Sequence, residues 1–196
     1  MTTHLLFFLP LMALSACTML KPIEDNTVRH LLEAKVSGNT ASAARPAVAI
    51  ANPSLPPYLE RVELVTRTGD GRLEVHEKHL WAEPLDAAMT RVIAENLRRL
   101  TKSANIQPSA NFIARDYSSL LEVRIERFDP LPNGSLVLEC TWKLQVTGEG
   151  DASPKAFKTI VPIRPISAED TELMSARITA MNEALAQLSR KIAQFL

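Results

Sequence analysis

From residue 119 to 163 apolar and polar side chains trade places almost position by position, the two-residue period of half-buried strands. Leu121, Val123 and Ile125 stand against Glu122, Arg124 and Glu126. Asn133-Gly134 then turns the chain, because both residues tolerate the positive φ of a tight hairpin. A long strand is predicted over 135–147, Gly148-Glu149-Gly150-Asp151 turns again, and 155–163 returns. Pro162 has no N–H for a ladder, which places that strand at an edge or ends it there. An earlier hairpin is predicted over 62–68 and 72–81 around Gly69-Asp70-Gly71. Its second strand puts Leu73, Val75, Glu77, His79 and Trp81 on one face, so its alternation is imperfect. Residues 27–33 have the length of a first strand, and Arg45–Ala51 is a short apolar run suited to a buried one. Between them, 37–44 is small and polar and reads as a surface loop. Pro53, Pro56 and Pro57 then forbid helix or central strand, leaving an extended, stiff connection with Leu55, Tyr58 and Leu59 as apolar pegs.

The period changes to that of a helix at two places. Pro84 suits a first turn, and apolar residues at 85, 89, 92, 93, 97 and 100 form one stripe. Arg98, Arg99 and Lys102 gather at the carboxyl end, where cations are favoured. The chain leaves the helix over 101–105, and Pro108 marks a loop. Near the C-terminus, Ser167-Ala168-Glu169-Asp170 resembles a capping box. Met174, Ile178, Met181, Leu185, Leu188, Ile192 and Phe195 then alternate spacings of four and three, a heptad seam. Such a helix runs about 40 Å at 1.5 Å per residue. Five strands span only about 24 Å. The helix either packs along its sheet, or its last turns, with Ile192, Phe195 and Leu196, reach another subunit or partner. The elements add up to an α+β fold: a mostly antiparallel sheet of five to six strands with two helices packed against it, the C-terminal helix long.

The amino terminus carries a different pattern. Leu5 to Leu14 is apolar except for Pro10. That is shorter than the roughly 20 residues of a spanning helix and reads as the core of a secretory signal. Leu14-Ser15-Ala16-Cys17 closes the run and resembles a bacterial lipobox. The resemblance implies that Cys17 becomes the first mature residue and carries a diacylglycerol and an N-acyl chain. The usual Lys or Arg before the apolar core is replaced by His4 and the amino terminus. The other reading is an ordinary signal cut elsewhere, with Cys17 incidental. An Asp after the cysteine favours the inner membrane in Gram-negative lipoproteins, so Thr18 implies the outer one. The chain thus divides into a signal over 1–16, a tether over 17–26, and one domain over 27–196.

Composition narrows the partners. Hydrophobic residues make up 46% and charged residues 22%, as in a globular chain, and 22 basic residues cancel 22 acidic ones. Without a basic stripe, nucleic acid is excluded as a partner. With Cys17 lipidated, Cys140 has no intrachain partner. Strand alternation puts Cys140 on the face of Leu138, Trp142 and Leu144, which reads as a core thiol, the alternative being a reactive one. His76-Glu77-Lys78-His79 tempts a metal reading, but an offset of three on a strand points the rings to opposite faces. No metal is expected. No nucleophile elbow, phosphate loop, zinc-ligand set or dinucleotide fingerprint occurs, so nothing supports an enzyme.

Four stretches together resemble one family. They are Val28-Arg29-His30-Leu31-Leu32; Leu55-Pro56-Pro57-Tyr58-Leu59-Glu60-Arg61 with Leu64-Val65-Thr66-Arg67; His79-Leu80-Trp81-Ala82-Glu83-Pro84-Leu85; and Gly134 to Trp142. They are similar to the PqiC/YmbA-type ABC-transport auxiliary lipoproteins, from about Thr27 to the C-terminus. Glu60 stands where that family has Asp, and Leu80 where Arg is common. A tyrosine is usual near His30.

The resemblance implies an outer-membrane lipoprotein facing the periplasm. It implies partnership with an inner-membrane permease and an MCE-domain protein that bridges the envelope, moving phospholipid-like cargo and supporting membrane integrity. It implies no enzymatic activity and no cofactor beyond the lipid on Cys17. Candidate contacts are Tyr58 in the proline-rich stretch and the Trp81-Glu83-Pro84 junction; the alternative is that both are corners that define the fold. A ring-shaped homo-oligomer would suit a tubular partner. A different class of function is a periplasm-facing lipid carrier with its own pocket.

Overall fold

The computed structural model describes residues 25–38, 46–113, 116–165, 167 and 169–196. Cys17, Thr18, the signal and most of the tether lie outside the described residues. Eight strands and two helices follow in the order β1 (Val28–His30), β2 (Val48–Ile50), β3 (Glu63–Arg67), β4 (Leu73–Trp81), α1 (Leu85–Thr101), β5 (Ile106–Pro108), β6 (Ser119–Leu131), β7 (Ser135–Val146), β8 (Lys155–Pro162) and α2 (Asp170–Ala193).

The strands form two sheets, not one. A three-stranded sheet runs β1-β4-β3, and a five-stranded sheet runs β5-β2-β6-β7-β8. The expectation of a mostly antiparallel sheet of five to six strands is corrected: there are eight strands among the described residues, and both sheets are mixed. β1 lies parallel to β4, and β2 lies parallel to both β5 and β6. The hairpins β3-β4, β6-β7 and β7-β8 are antiparallel, as their Gly-containing turns require. The parallel strands escape a local reading because their partners lie far along the chain. They are three residues each, too short for a period to register.

β1 is shorter than its seven-residue pattern because only 28–30 find a ladder. The continuation is held by side chains from both helices. Asn182 Oδ1 accepts from Glu33 N–H at 2.9 Å, and Asn96 Oδ1 from Val36 N–H at 3.2 Å. Arg91 and Arg99 donate to the carbonyls of Leu32 and Val36 at 2.9 Å. These bonds satisfy backbone groups that burial would otherwise leave unpaired, and they let Leu32 and Val36 enter the interior.

One apolar core joins the layers. Leu121, Val123 and Ile125 of β6 oppose Leu144, Trp142 and Cys140 of β7, and α1 and α2 pack on each other and on the five-stranded sheet. The α1 stripe is buried at Leu85, Met89, Val92, Ile93 and Leu97. The α2 seam is buried from Met174 to Ile192. A bulge between Ile125 and Arg127 shifts the β6 register by one residue. Beyond it Phe128 and Pro130 face the core, opposite Leu138 and Leu136, and Asp129 turns to the other face. The capping box expected at Ser167 does not form. α2 begins at Asp170 after Glu169, with no side-chain cap, and Ser167 Oγ accepts from Glu169 N–H at 3.3 Å. Cys140 is buried and free, and burial pushes its thiol up to about 12.

Candidate functional site

The two stretches singled out as contact candidates meet. The proline-rich connection and the β4–α1 junction form the walls of one groove of ≈ 540 Å³. Leu55, Glu60 and Val62 line one wall, and Trp81, Glu83 and Pro84 the other. Arg29 of β1 also lines it. Val62 is 63% exposed and offers an apolar lip.

Each wall has a local cause. Trp81 ends β4 opposite His30, and its N–H donates to Val62 O at 2.7 Å. Its ring is buried in the core, so it sets the floor and is not a free handle. Pro84 fixes φ at −52° where α1 begins, and its carbonyl accepts from Ala88 N–H at 2.9 Å. Glu83 pairs with Arg91, whose Nε lies 3.1 Å away. The opposite wall is laid along β6: Ser54 N–H donates to Val123 O at 3.0 Å, and Ser54 O accepts from Ile125 N–H at 2.9 Å. Asn52 ties the walls together. Its Nδ2 donates to Asp86 at 3.0 Å and its Oδ1 accepts from Thr90 at 3.0 Å.

Tyr58 does not line the groove. It anchors the proline-rich wall from behind. Its hydroxyl donates to Asp129 Oδ1 at 2.6 Å, and Arg67 Nε donates to Asp129 Oδ2 at 2.8 Å. The Arg67 guanidinium stands 5.4 Å from the Tyr58 ring centre. Burial first, then the Asp129 carboxylate, push the Tyr58 phenol up to about 12. Asp129 is 1% exposed, and Arg127 approaches it at 3.4 Å. The β6 bulge that aims Asp129 at this node shows in the sequence only as a switch of apolar residues from odd to even positions between Ile125 and Phe128.

Of the C-terminal candidates, Ile192 has no exposed surface and belongs to the core, since the heptad seam runs inward to its end. It has nothing to present to a partner. Phe195 is 46% exposed, with its ring edge-on to Trp142 at 5.3 Å and Lys155 above it at 5.0 Å. Thus α2 packs along its sheet through Ile192, and Phe195 leaves part of its ring exposed beyond it.

The histidines also depart from expectation. β3 partners jump from Leu80 at Glu63 to His76 at Leu64, so residues 77–79 of β4 bulge out. The strict two-residue alternation fails there, and His76 and His79 come together with ring centres 6.4 Å apart. His30 Nε2 lies 2.9 Å from His79 Nδ1, and His79 Nε2 lies 3.0 Å from Asp170. A carboxylate only accepts, so His79 Nε2 donates to Asp170, and its Nδ1 pairs with His30 Nε2. Arg177 Nη1 is 3.3 Å from His76 Nε2, which makes that nitrogen an acceptor. No cluster of three ligands able to hold a metal ion occurs among the described residues. The group fastens α2 to the small sheet.

Comparison with known proteins places this architecture. The family described as ABC-type transport auxiliary lipoprotein component matches residues 30–193. The chain belongs to that family. The auxiliary lipoprotein contains no helix, among its described residues, long and apolar enough to cross a membrane. No curated protein matches it. A crystal structure described only as an uncharacterized protein is 18% identical over 86% of this chain and 97% of its own, with a TM-score of 0.65. A Xanthomonas campestris protein of the DUF330 family is 17% identical over 83% of this chain and 93% of its own, with a TM-score of 0.67. At such identities the likeness is one of fold.

Proposed function

We propose that this auxiliary lipoprotein is the outer-membrane subunit of an MCE-type intermembrane phospholipid transport system. Cys17 anchors it by lipid, and its groove docks the periplasm-spanning MCE component fed by an inner-membrane permease. Membership of the transport auxiliary family carries this reading. The groove supports it as a docking surface, because it is open, mixed in polarity and its walls are tied to the fold by hydrogen bonds. Tethering assists the encounter: a leashed partner meets an effective concentration up to about millimolar. The role is mechanical, with no enzymatic step and no cofactor beyond the acyl chains. A ring of copies would match a tubular partner.

The second reading is a lipid carrier. The enclosed space between the small sheet and α2 is ≈ 10 Å³, room for about one water. That space is too small for an acyl chain. The test uses the full lipidated chain and its MCE partner in native membranes. Val62→Asp puts a charge on the groove's apolar lip without touching the core, and should abolish co-purification while the chain remains folded. Cys17→Ala should leave the outer-membrane fraction. Unchanged co-purification by Val62→Asp refutes the docking groove. Phospholipid retained by the delipidated domain in native mass spectrometry would favour the carrier.

A further inference from the structure

β8 leaves one side of the five-stranded sheet open. Ile163 N–H donates to Gly134 O at 2.8 Å. In an antiparallel ladder the bonding alternates along the strand. Residues 157, 159 and 161 therefore turn their backbone to β7. Ala156, Lys158 and Ile160 turn both N–H and C=O away from the sheet. Ile160 is 61% exposed on this rim.

Beside the rim, α2 presents a face that no strand covers. A groove of ≈ 470 Å³ lies between Val161-Pro162 and that face. Ala176 and Ala180 give it a shallow floor, and Glu172 and Glu183 border it. Small side chains there leave room for the inward side chains of one more strand. An open edge next to an uncovered helix face is the geometry of strand addition, in which main-chain bonds bind and alternate side chains select.

The charge on the rim decides the occupant. In the two antiparallel registers of greatest overlap between β8 and its own copy, Lys158 falls directly opposite or diagonally across from the copy's lysine. Like charges so placed are destabilising, and an edge lysine guards a strand against its own kind. Lys158 already pairs with Glu139 on β7, and a carboxylate on the open side would complete a ladder of alternating charge. We propose that β8 accepts a strand from a different polypeptide. That strand carries apolar side chains toward Ala176 and Ala180 and an acidic side chain opposite Lys158. This inference does not rest on the groove at Trp81, with which the site shares no lining residue.

The test uses the full chain and a synthetic peptide, Thr-Val-Thr-Val-Glu-Val-Thr-Val, followed by fluorescence anisotropy and amide hydrogen exchange. The peptide should bind and slow exchange at the Lys158 and Ile160 amides by about tenfold or more. Replacing its Glu by Lys should weaken binding about tenfold, equivalent to 1.4 kcal/mol. Ile160→Pro removes an outward N–H while leaving the β7 ladder intact, and Thr179→Arg, at an exposed lining position, fills the groove; each should weaken binding by a similar factor. No binding at millimolar peptide, or equal binding by both variants, overturns the proposal. A concentration-dependent dimer abolished by Ile160→Pro would overturn the choice of occupant.

Discussion

Asp129→Ala tests how the proline-rich wall is held. The carboxylate is 1% exposed and accepts from Tyr58 at 2.6 Å and Arg67 at 2.8 Å, with Arg127 at 3.4 Å. Removing one partner of a buried pair costs about 3–5 kcal/mol, because the other charge is stranded. Here the stranded groups are not fully enclosed: the Arg67 and Arg127 side chains are 26% and 33% exposed. Water reaches both, so the lower figure applies, about 3 kcal/mol. For a chain of this length each kcal/mol moves Tm by about 2–4 °C. The expected fall is therefore about 6–12 °C, read by calorimetry or by circular dichroism.

A second variant separates charge from packing. Tyr58→Phe keeps the ring under Arg67 and loses one hydrogen bond to a charged acceptor, a cost of about 1.5–3 kcal/mol. Asp129→Ala combined with Arg67→Met removes both members of the ion pair. It should be less destabilised than the sum of the single variants, since the Arg67 guanidinium is no longer stranded and Arg127 keeps Glu139 at 3.9 Å. A loss below about 1 kcal/mol for Asp129→Ala would place this node among solvent-screened surface pairs and refute the reasoning. Strict additivity in the double variant would do the same.

Three further outcomes follow from single groups. His30 and His76 are held below the ordinary histidine value, by burial first, then by His79 for His30 and by Arg177 for His76. The folded chain thus binds fewer protons than the unfolded one just below about pH 6.5, so this stability is complete above that pH and declines beneath it. Tm should fall between pH 7 and pH 5, and a His30→Gln, His76→Gln variant should flatten the slope; equal slopes would count against the cluster. The Cys140 thiol, pushed up to about 12 by burial and then by Glu126, should react with a disulfide reagent at pH 8 about 1,000-fold more slowly in the native than in the unfolded chain. Lys102 caps α1 with φ of 54°, so Lys102→Gly should raise stability by about 0.5–1 kcal/mol in urea titration; a loss would show that its side chain matters more than its backbone.

The long elements were legible because their patterns are local. The hairpins of β6, β7 and β8 and the two helices announce themselves through period and turn residues. What escaped is whatever depends on a partner far along the chain. Val48-Ala49-Ile50 reads as a buried strand, yet nothing in it names β5 and β6 as parallel neighbours. Ile106-Gln107-Pro108 reads as a loop because Pro108 ends it, although its first residue is 2% exposed.

The site depends on places where the period breaks. A pattern assigns faces by counting, and a bulge resets the count. At β6 one extra residue turns Asp129 away from the face of Leu121, Val123 and Ile125 and toward Tyr58, so one of the scattered strand acids becomes the anchor of a groove wall. At β4 the three bulged residues bring His79 round to His76 and Asp170. Both events sit where the two sheets and α2 must be joined without a shared ladder. Polar side chains do there what backbone bonds do inside a sheet. The walls of the groove are therefore positioned by a few specific hydrogen bonds rather than by apolar burial alone. For that reason the conservative change Tyr58→Phe, which leaves volume and hydrophobicity in place, is expected to loosen the proline-rich wall while Leu55 and Leu59 stay packed.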